Sequence, residues 1–180
     1  SAVAAAFAAN AALGARLTGE ELLPFAIEGE KIASGAIHVD NLSPSLLGGF
    51  VLVRGYGPID LVKIPPPEDL WCTIVRPHIE IRTKESRQAL PKQVPLKDVV
   101  TQTGNAAGLI AGLLTSNYGL IGRSLHDVIA EPARGPMIPG FQAMKEAAMR
   151  AGALGCSISG SGPSVFALSH GKKTADETCL

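Results

Sequence analysis

The spacing of hydrophobic and polar positions changes along the chain and predicts blocks of helix followed by blocks of strand. Residues 2–16 are rich in alanine, the strongest helix former, and predict a first helix. Thr18 and Glu21 form a T-x-x-E capping box, which predicts a second helix running to about Ser34. The following segment, GAIHVDNLSP, combines glycine, asparagine and proline and therefore predicts a polar loop.

Strands are predicted in the middle of the chain. The apolar run at 46–54 and the segments IDLVKI and WCTIVR each predict a strand, and the stretches between them are rich in glycine and proline. Apolar and polar residues then alternate in IEIR with the two-residue period of a strand.

The second half of the chain is predicted to be mainly helical. Thr83 is expected to cap a short helix, KESRQAL, and two longer helices are expected at about 95–116 and 119–130. After the loop EPARGPMIP, the helix GFQAMKEAAMRA ends at Gly152 as a C-terminal cap. The segment LGCSISGSGPSVFALS then predicts strand, glycine turn and strand. Because strands and helices come in blocks without regular βαβ alternation, the predicted fold class is α+β.

The amino-acid composition argues against several classes of protein. The chain has 180 residues, of which 46% are hydrophobic and 18% charged, and this balance favours a packed core over disorder. Sixteen basic residues balance sixteen acidic ones, so the net charge of zero argues against a nucleic-acid partner. Apolar runs are too short for a membrane span. Three widely spaced cysteines without a CxxC pair favour neither a disulfide framework nor a zinc site, and a cytoplasmic location is expected.

Both termini look interrupted. The first residue is not methionine and the chain enters a helix at once, while the last residues, KKTADETCL, predict the opening turns of a helix that has no room to bury a face. We therefore expect the chain to be a fragment of a longer protein.

The most specific motif is SISGSGPSVFALS at 157–169. Gly160 and Gly162 allow positive φ angles and expose backbone N–H groups, while Ser159 and Ser161 add hydroxyl donors. Such a turn can hold an anion. The alternative is an ordinary glycine hairpin between two buried strands.

A second group of polar residues lies in EGEKIASGAIHVDNLSP. Glu28 and Glu30 come late on a predicted helix, where the helix dipole disfavours acidic groups, and His38, Asp40 and Asn41 follow closely. This placement indicates a cation or a cationic partner. The alternative is an Asx turn after the helix.

Two arginines have a context that suggests binding. Arg87 follows a predicted strand on a short helix, and Arg134 lies in a stretch rich in glycine and proline. The planar guanidinium group matches a carboxylate or phosphate with two parallel hydrogen bonds. The alternative for each is an ordinary surface arginine.

Four segments together resemble the homoserine kinase family of the GHMP small-molecule kinases. They are EGEKIASGAIHVDNLSPSLLGGF, IRTKESRQALP, IAEPARGPMIPGF and AGALGCSISGSGPSVFAL, which follow one another in the family's order along nearly the whole chain. The family's glycine-rich ATP loop, P-x-x-x-G-L-G-S-S-A, is absent from this sequence, which begins just inside or after it.

The resemblance assigns roles to the residues of the second polar group. Glu30 resembles the carboxylate that holds the Mg²⁺ bridging the ATP phosphates. His38, Asp40 and Asn41 resemble the loop that meets the amino and hydroxyl ends of the substrate. Whether Asp40 acts as a base stays open, because some GHMP relatives use an aspartate near this loop and homoserine kinases are thought to manage without one.

The resemblance also covers the arginines and the glycine turn. Arg87 and Arg134 resemble the pair that grips the substrate carboxylate, and Thr83 is expected close to the transferring phosphate. Gly160 and Ser161 resemble the backbone that lies beside substrate and phosphates.

The implied activity is ATP-dependent phosphorylation of L-homoserine in threonine biosynthesis, with ATP and Mg²⁺ as cofactors and a homodimer as a candidate assembly. The implied fold ends a ribosomal-S5-like domain at residues 1–55 and continues with an incomplete ferredoxin-like domain at residues 56–180. Two alternatives remain: a GHMP kinase for another small alcohol, and a small-molecule-binding domain without catalysis.

Overall fold

Two compact units make up the chain, Ser1–Pro66 and Pro67–Leu180. The structure is a computed structural model, and it describes residues 2–34 and 37–179. Within these residues, no helix is long and apolar enough to cross a membrane.

The first unit contains three helices and one β-hairpin. Two adjacent strands pair in antiparallel fashion, with Phe50 opposite Ile64 and Tyr56 opposite Ile59. The elements in chain order are α1 (Ala2–Ala12), α2 (Gly19–Ser34), α3 (Val39–Leu47), β1 (Phe50–Tyr56) and β2 (Ile59–Ile64).

The predicted capping box at the start of α2 is confirmed. The Thr18 backbone N–H donates to Glu21 Oε2 at 2.8 Å, and the Glu21 N–H donates to Thr18 Oγ1 at 3.3 Å. This reciprocal pair satisfies two of the N–H groups that a helix start leaves without intrahelical partners. The first helix is shorter than predicted, because Gly14 and Ala15 adopt positive φ angles of 90° and 52°.

The prediction of a loop at GAIHVDNLSP was wrong, because most of this segment lies in α3; Gly35 and Ala36 lie outside the described residues. Four positions at helical spacing are buried: Val39, Leu42, Ser43 and Leu46. They pack with Leu22, Leu23, Ala26 and Ile27 of α2 into the core of this unit. Burial of this apolar stripe outweighs the turn-forming tendency of the polar residues between them. The helix also replaces the first residues of the predicted strand at 46–54, and β1 begins later.

The second unit contains six helices, one 3₁₀ turn and a three-stranded antiparallel sheet among its described residues. The sheet order is β3-β5-β4, with Leu70 opposite His170 and Gly155 opposite Leu168. The elements are β3 (Leu70–Val75), α4 (Thr83–Gln88), α5 (Leu96–Thr115), α6 (Tyr118–Ser124), α7 (Ala130–Arg134), a 3₁₀ turn (Gly135–Met137), α8 (Phe141–Arg150), β4 (Gly155–Ile158), β5 (Val165–His170) and α9 (Lys172–Thr178).

Several predictions for this unit need correction. IEIR forms no strand, and the predicted cap of α4 by Thr83 was wrong, because Arg82 is the N-cap residue and makes no side-chain capping bond. The loop EPARGPMIP contains α7 and the 3₁₀ turn, so Arg134 is the last residue of a short helix. The predicted helix at 119–130 ends earlier, at Ser124.

The core of the second unit lies between α8 and the sheet. Its buried members are Ile138, Phe141, Ala148, Ala153, Cys156, Val165 and Ala167. The prediction that Gly152 ends α8 is confirmed, since the glycine follows the C-cap residue Ala151 with a φ of 91°. The predicted strand, turn and strand at the end of the chain is also confirmed. The turn places 159–163 at one end of the β4–β5 pair.

Candidate functional site

Four predicted site residues lie at the junction of α2 and α3, and we call them the α2–α3 cluster: Glu30, His38, Asp40 and Asn41. Glu30 lies late on α2, and His38 is the N-cap residue of α3. His38 Nδ1 lies 3.0 Å from Glu30 Oε1, and the two side chains are 21% and 23% exposed. The structure therefore brings the predicted cation ligand and the predicted substrate loop into direct contact.

The contact determines which ring nitrogen of His38 is available. A carboxylate oxygen at Nδ1 favours the proton on Nδ1, which leaves Nε2 as an acceptor in the neutral ring. Nε2 is buried and has no hydrogen-bond partner among residues 2–34 and 37–179. Asp40 and Asn41 lie in the first turn of α3 with exposed side chains that form no hydrogen bond with the described chain.

The donor set limits which metal could bind. Among the described residues, no group of three or more His, Cys, Asp and Glu side chains could hold an ion. Structural metals such as zinc need such a group. Mg²⁺ is bound through one or two carboxylates together with substrate phosphates. Glu30 therefore fits a Mg²⁺ that arrives with phosphates, and it fits no metal that the protein alone must enclose.

Arg134 lies at the centre of the second group, the arginine cluster, which comprises Thr83, Ser86, Arg87, Arg134, Gly160 and Ser161. Arg134 Nη1 donates to Gly160 O at 2.9 Å, and Arg134 Nε donates to Ser86 O at 3.2 Å. These bonds fix the guanidinium group on two backbone carbonyls. Both hydrogens of Nη2 and one of Nη1 are left over from these two bonds and can serve a ligand. Arg134 is therefore an oriented donor.

The glycine turn adopts the backbone that its sequence predicts. Gly160 and Gly162 have φ angles of 59° and 79°. A Cβ at Gly162 would lie 3.0 Å from Ile138 Cδ1, so a side chain there would crowd Ile138 and would also be strained by the positive φ. Gly162 N donates to Ser159 O at 3.0 Å and closes the turn. Ser86 Oγ donates to Ser161 O at 2.7 Å and joins the turn to α4.

Thr83 and Arg87 lie on α4, on either side of Ser86 along the chain. Both side chains are exposed, and neither forms a hydrogen bond or ion pair with the described chain. The structure thus places Arg87 next to a residue that contacts Arg134, without a bond between the two arginines. The pairing of Arg87 with Arg134 on one carboxylate stays a prediction.

A polar network that involves α7, the helix of Arg134, was not predicted from the sequence. Ser157 Oγ donates to Glu131 Oε2 at 2.7 Å, and Lys145 Nζ donates to Glu131 Oε1. Glu131 and Lys145 are 12% and 20% exposed, so this ion pair is largely removed from solvent. Glu131 lies one helical turn before Arg134. The E-P-x-R spacing is the feature of the sequence that could have indicated this network. The network ties α7 to α8 and β4.

The cysteine next to this network is not a nucleophile. Cys156 is 2% exposed, and burial raises the pKa of its thiol to about 11, with Lys145 lowering it and Glu131 raising it further. The thiol is therefore protonated at neutral pH, and thiolate chemistry is excluded at this position.

A cavity of about 740 Å³ lies in the same unit. It is lined by Asp127, Glu131, Gly135, Ile138 and Phe141, among others. Arg134 and Gly160 do not line it, so this cavity is distinct from the arginine cluster. Its charged lining consists of the carboxylates of Asp127 and Glu131, with His126 and no arginine, and this disfavours an acidic ligand there.

Comparisons with known proteins show which proteins the chain resembles. Residues 109–179 match the family model of the GHMP kinases C terminal. The chain is 58% identical over 175 residues to a homoserine kinase of Chlorobium phaeovibrioides, covering 97% of this chain and 55% of that protein. The chain therefore spans about half the length of the curated relatives it matches.

Solved structures of homoserine and mevalonate kinases also match the chain. The crystal structure of homoserine kinase from Cytophaga hutchinsonii matches 98% of this chain and 56% of that chain, with a TM-score of 0.94 and 55% identity. The crystal structure of L. major mevalonate kinase in complex with R-mevalonate shares the fold, with a TM-score of 0.73 and 18% identity over 91% of this chain and 53% of that one. The predicted α+β fold class is confirmed. Residues 109–179 therefore carry the GHMP kinase C-terminal fold, and the chain is homologous to homoserine kinases over nearly its whole length.

Proposed function

We propose that this chain is part of an ATP-dependent kinase that converts L-homoserine to O-phospho-L-homoserine. The observation that carries the proposal is Arg134, whose guanidinium group is fixed on Ser86 O and Gly160 O with N–H donors to spare. A preoriented arginine suits a planar carboxylate, which homoserine has. The relatives at 58% and 55% identity are named homoserine kinases, and this supports the same substrate here.

In the proposed reaction, the substrate hydroxyl oxygen forms a bond to the γ-phosphorus of ATP and the bond from that phosphorus to the bridging oxygen of ADP breaks. The hydroxyl proton leaves to solvent or to Asp40. Because such transfers depend mainly on positioning and on neutralising phosphate charge, the residues need to orient more than to react.

Each cluster has its own task. Arg134 and Arg87 bind the carboxylate, while Gly160 and Ser161 offer backbone N–H groups beside it. His38 and Asn41, with Asp40, position the amino and hydroxyl ends; Thr83 lies near the transferring phosphoryl group.

Glu30 is the residue that would hold Mg²⁺. The ion supplies neutralisation of the developing phosphate charge when it is bound. His38 Nδ1 lies 3.0 Å from Glu30 Oε1 and would orient that carboxylate for the ion. We also propose that the first unit, Ser1–Pro66, finishes the nucleotide-binding domain and that the second unit, Pro67–Leu180, belongs to the C-terminal domain; a boundary at residues 55 and 56 would divide the β1–β2 hairpin.

The test is a substrate comparison in the complete reading frame that contains this chain. Three alcohols are offered with ATP and Mg²⁺: L-homoserine, mevalonate, and 3-aminopropan-1-ol, which is homoserine without its carboxylate. We expect phosphorus NMR to show O-phosphohomoserine as the main product. A preference for mevalonate would favour a GHMP kinase of other specificity. Binding of homoserine without any ADP formation would favour a non-catalytic domain.

A further inference from the structure

Ser86 lies where α4, Arg134 and the glycine turn meet, and it is fully buried. Its Oγ donates to Ser161 O at 2.7 Å, while its carbonyl accepts from Arg134 Nε at 3.2 Å. Arg134 Nη1 donates to Gly160 O at 2.9 Å. The three hydrogen bonds join positions that are 75, 48 and 26 residues apart in sequence, and they close a ring.

One bond of this ring can be removed without touching Arg134. The Arg134 Nε bond uses the Ser86 carbonyl, which any residue at this position keeps. The Ser86 hydroxyl bond to Ser161 O depends on the side chain alone. Substituting Ser86 therefore releases the turn from α4 while the arginine keeps both of its carbonyl partners.

We propose that Ser86 is a positioning residue for the substrate carboxylate. The Ser86 hydroxyl fixes the position of the Gly160–Ser161 backbone relative to the N–H groups that Arg134 leaves unused. The backbone and the guanidinium group can then contact the same ligand. Binding groups that are fixed before the ligand arrives need no ordering when it binds, and this raises affinity. The inference rests on the proposed function, because the carboxylate is that of homoserine.

The experiment compares Ser86→Ala with the wild type in the complete protein. We expect the KM for homoserine to rise about tenfold, while kcat and the KM for ATP stay within about twofold. The change falls on KM because the carboxylate is bound equally in ground and transition states. Ser86→Cys, a near-isosteric change to a weaker donor, should give an intermediate KM and serves if the alanine variant does not fold.

The matched control is Ser169→Ala. Ser169 is also fully buried, but its Oγ has no hydrogen-bond partner among the described residues. This variant loses the same hydroxyl at a buried site without releasing the turn. We expect its KM for homoserine to match the wild type.

The substrate 3-aminopropan-1-ol separates positioning from a general structural effect. Ser86→Ala should change its kcat/KM by less than about twofold, since no carboxylate is present to lose contacts. An equal loss for both substrates, or a KM for homoserine equal to that of Ser169→Ala, would overturn the role of Ser86 alone. A wild-type protein that does not phosphorylate homoserine would overturn the proposed function and this role with it.

Discussion

The α2–α3 cluster and the arginine cluster are built in different ways. In the α2–α3 cluster, all four residues lie between positions 30 and 41, and the contact between Glu30 and His38 joins residues eight apart. In the arginine cluster, the hydrogen bonds of Arg134 and Ser86 join three segments that are 26 to 75 residues apart. The α2–α3 cluster is formed by residues close in sequence at the start of α3, whereas the arginine cluster forms only when distant segments meet in the tertiary fold.

Substitutions in the α2–α3 cluster should therefore change ligand binding with little effect on stability, whereas substitutions in the arginine cluster should change both. Asp40 and Asn41 have exposed side chains without hydrogen bonds to the described chain, so substituting them removes little from the folded state. Arg134 donates hydrogen bonds to two backbone carbonyls. Glu131, on the same helix, forms a largely buried ion pair with Lys145 of α8. Substitutions there affect ligand binding and folding together.

Glu30→Gln tests the first half of the comparison and has the largest expected effect. Loss of a Mg²⁺ ligand removes several kcal/mol of charge stabilisation, so kcat/KM in the complete protein should fall by about 100-fold or more. Glutamine keeps the size of the side chain and an oxygen that can accept from His38 Nδ1, so the free energy of unfolding should change by no more than about 1.5 kcal/mol, the upper end for one hydrogen bond.

Glu28→Gln is the matched control, because Glu28 is an exposed glutamate on the same helix, paired with Lys31 at 2.5 Å. We expect its turnover to stay within about twofold of wild type. Steady-state kinetics at saturating Mg²⁺ measure both variants. Equal activity of the two would contradict the role of Glu30 as a metal ligand.

Glu131→Gln tests the second half of the comparison, which concerns α7 and the arginine cluster. Neutralising Glu131 leaves Lys145 without its partner and weakens the bond from Ser157, and each hydrogen bond to a charged group contributes about 1.5–3 kcal/mol. We expect a loss of stability of that size in urea unfolding.

The control here is Glu146→Gln on α8, where Glu146 pairs with Arg150 at 3.9 Å at an exposed site. Exposed pairs contribute about 0–1 kcal/mol, so this variant should unfold close to wild type. A loss for Glu146→Gln that equals the loss for Glu131→Gln would show that the buried network does not anchor α7.

Asp40→Asn gives the smallest expected effect. The substitution removes the charge but keeps the size of the side chain. If positioning suffices for phosphoryl transfer, kcat should fall by less than about tenfold. General-base catalysis contributes about 10²–10⁴-fold, so a fall in that range, together with loss of the acidic limb of the pH–rate profile, would identify Asp40 as the base.

Local signals in the sequence predicted elements that depend on local chemistry. The capping box of α2, the glycine cap of α8 and the strand–turn–strand at 155–170 are all present. The start of α3 was missed because its polar residues indicate a turn when read alone. Only the burial of Val39, Leu42 and Leu46 against α2, a tertiary contact, makes the segment helical.

The same limit applies to the candidate site. Local patterns singled out Arg134 as a possible carboxylate or phosphate ligand and Gly160 as part of an anion-binding turn, and the family resemblance gave both a role in substrate binding. No local pattern shows that the two residues contact each other. Ser86 was missed because a serine within the polar helix TKESRQ predicts a solvent-exposed side chain. Its burial comes from contacts with residues 48 and 75 positions away, which no short window contains.

The central claim is that Arg134 binds the substrate carboxylate, and the most direct measurement is the selectivity of Arg134→Ala in the complete protein. The ratio of kcat/KM for L-homoserine to kcat/KM for 3-aminopropan-1-ol does not depend on how much of the variant is folded, because both substrates are assayed on the same enzyme. Leaving the carboxylate unpaired costs about 2–5 kcal/mol, so the ratio should fall by about 30-fold to several thousand-fold. An unchanged ratio, with both substrates impaired equally, would contradict the claim and assign Arg134 to the phosphates or to the fold.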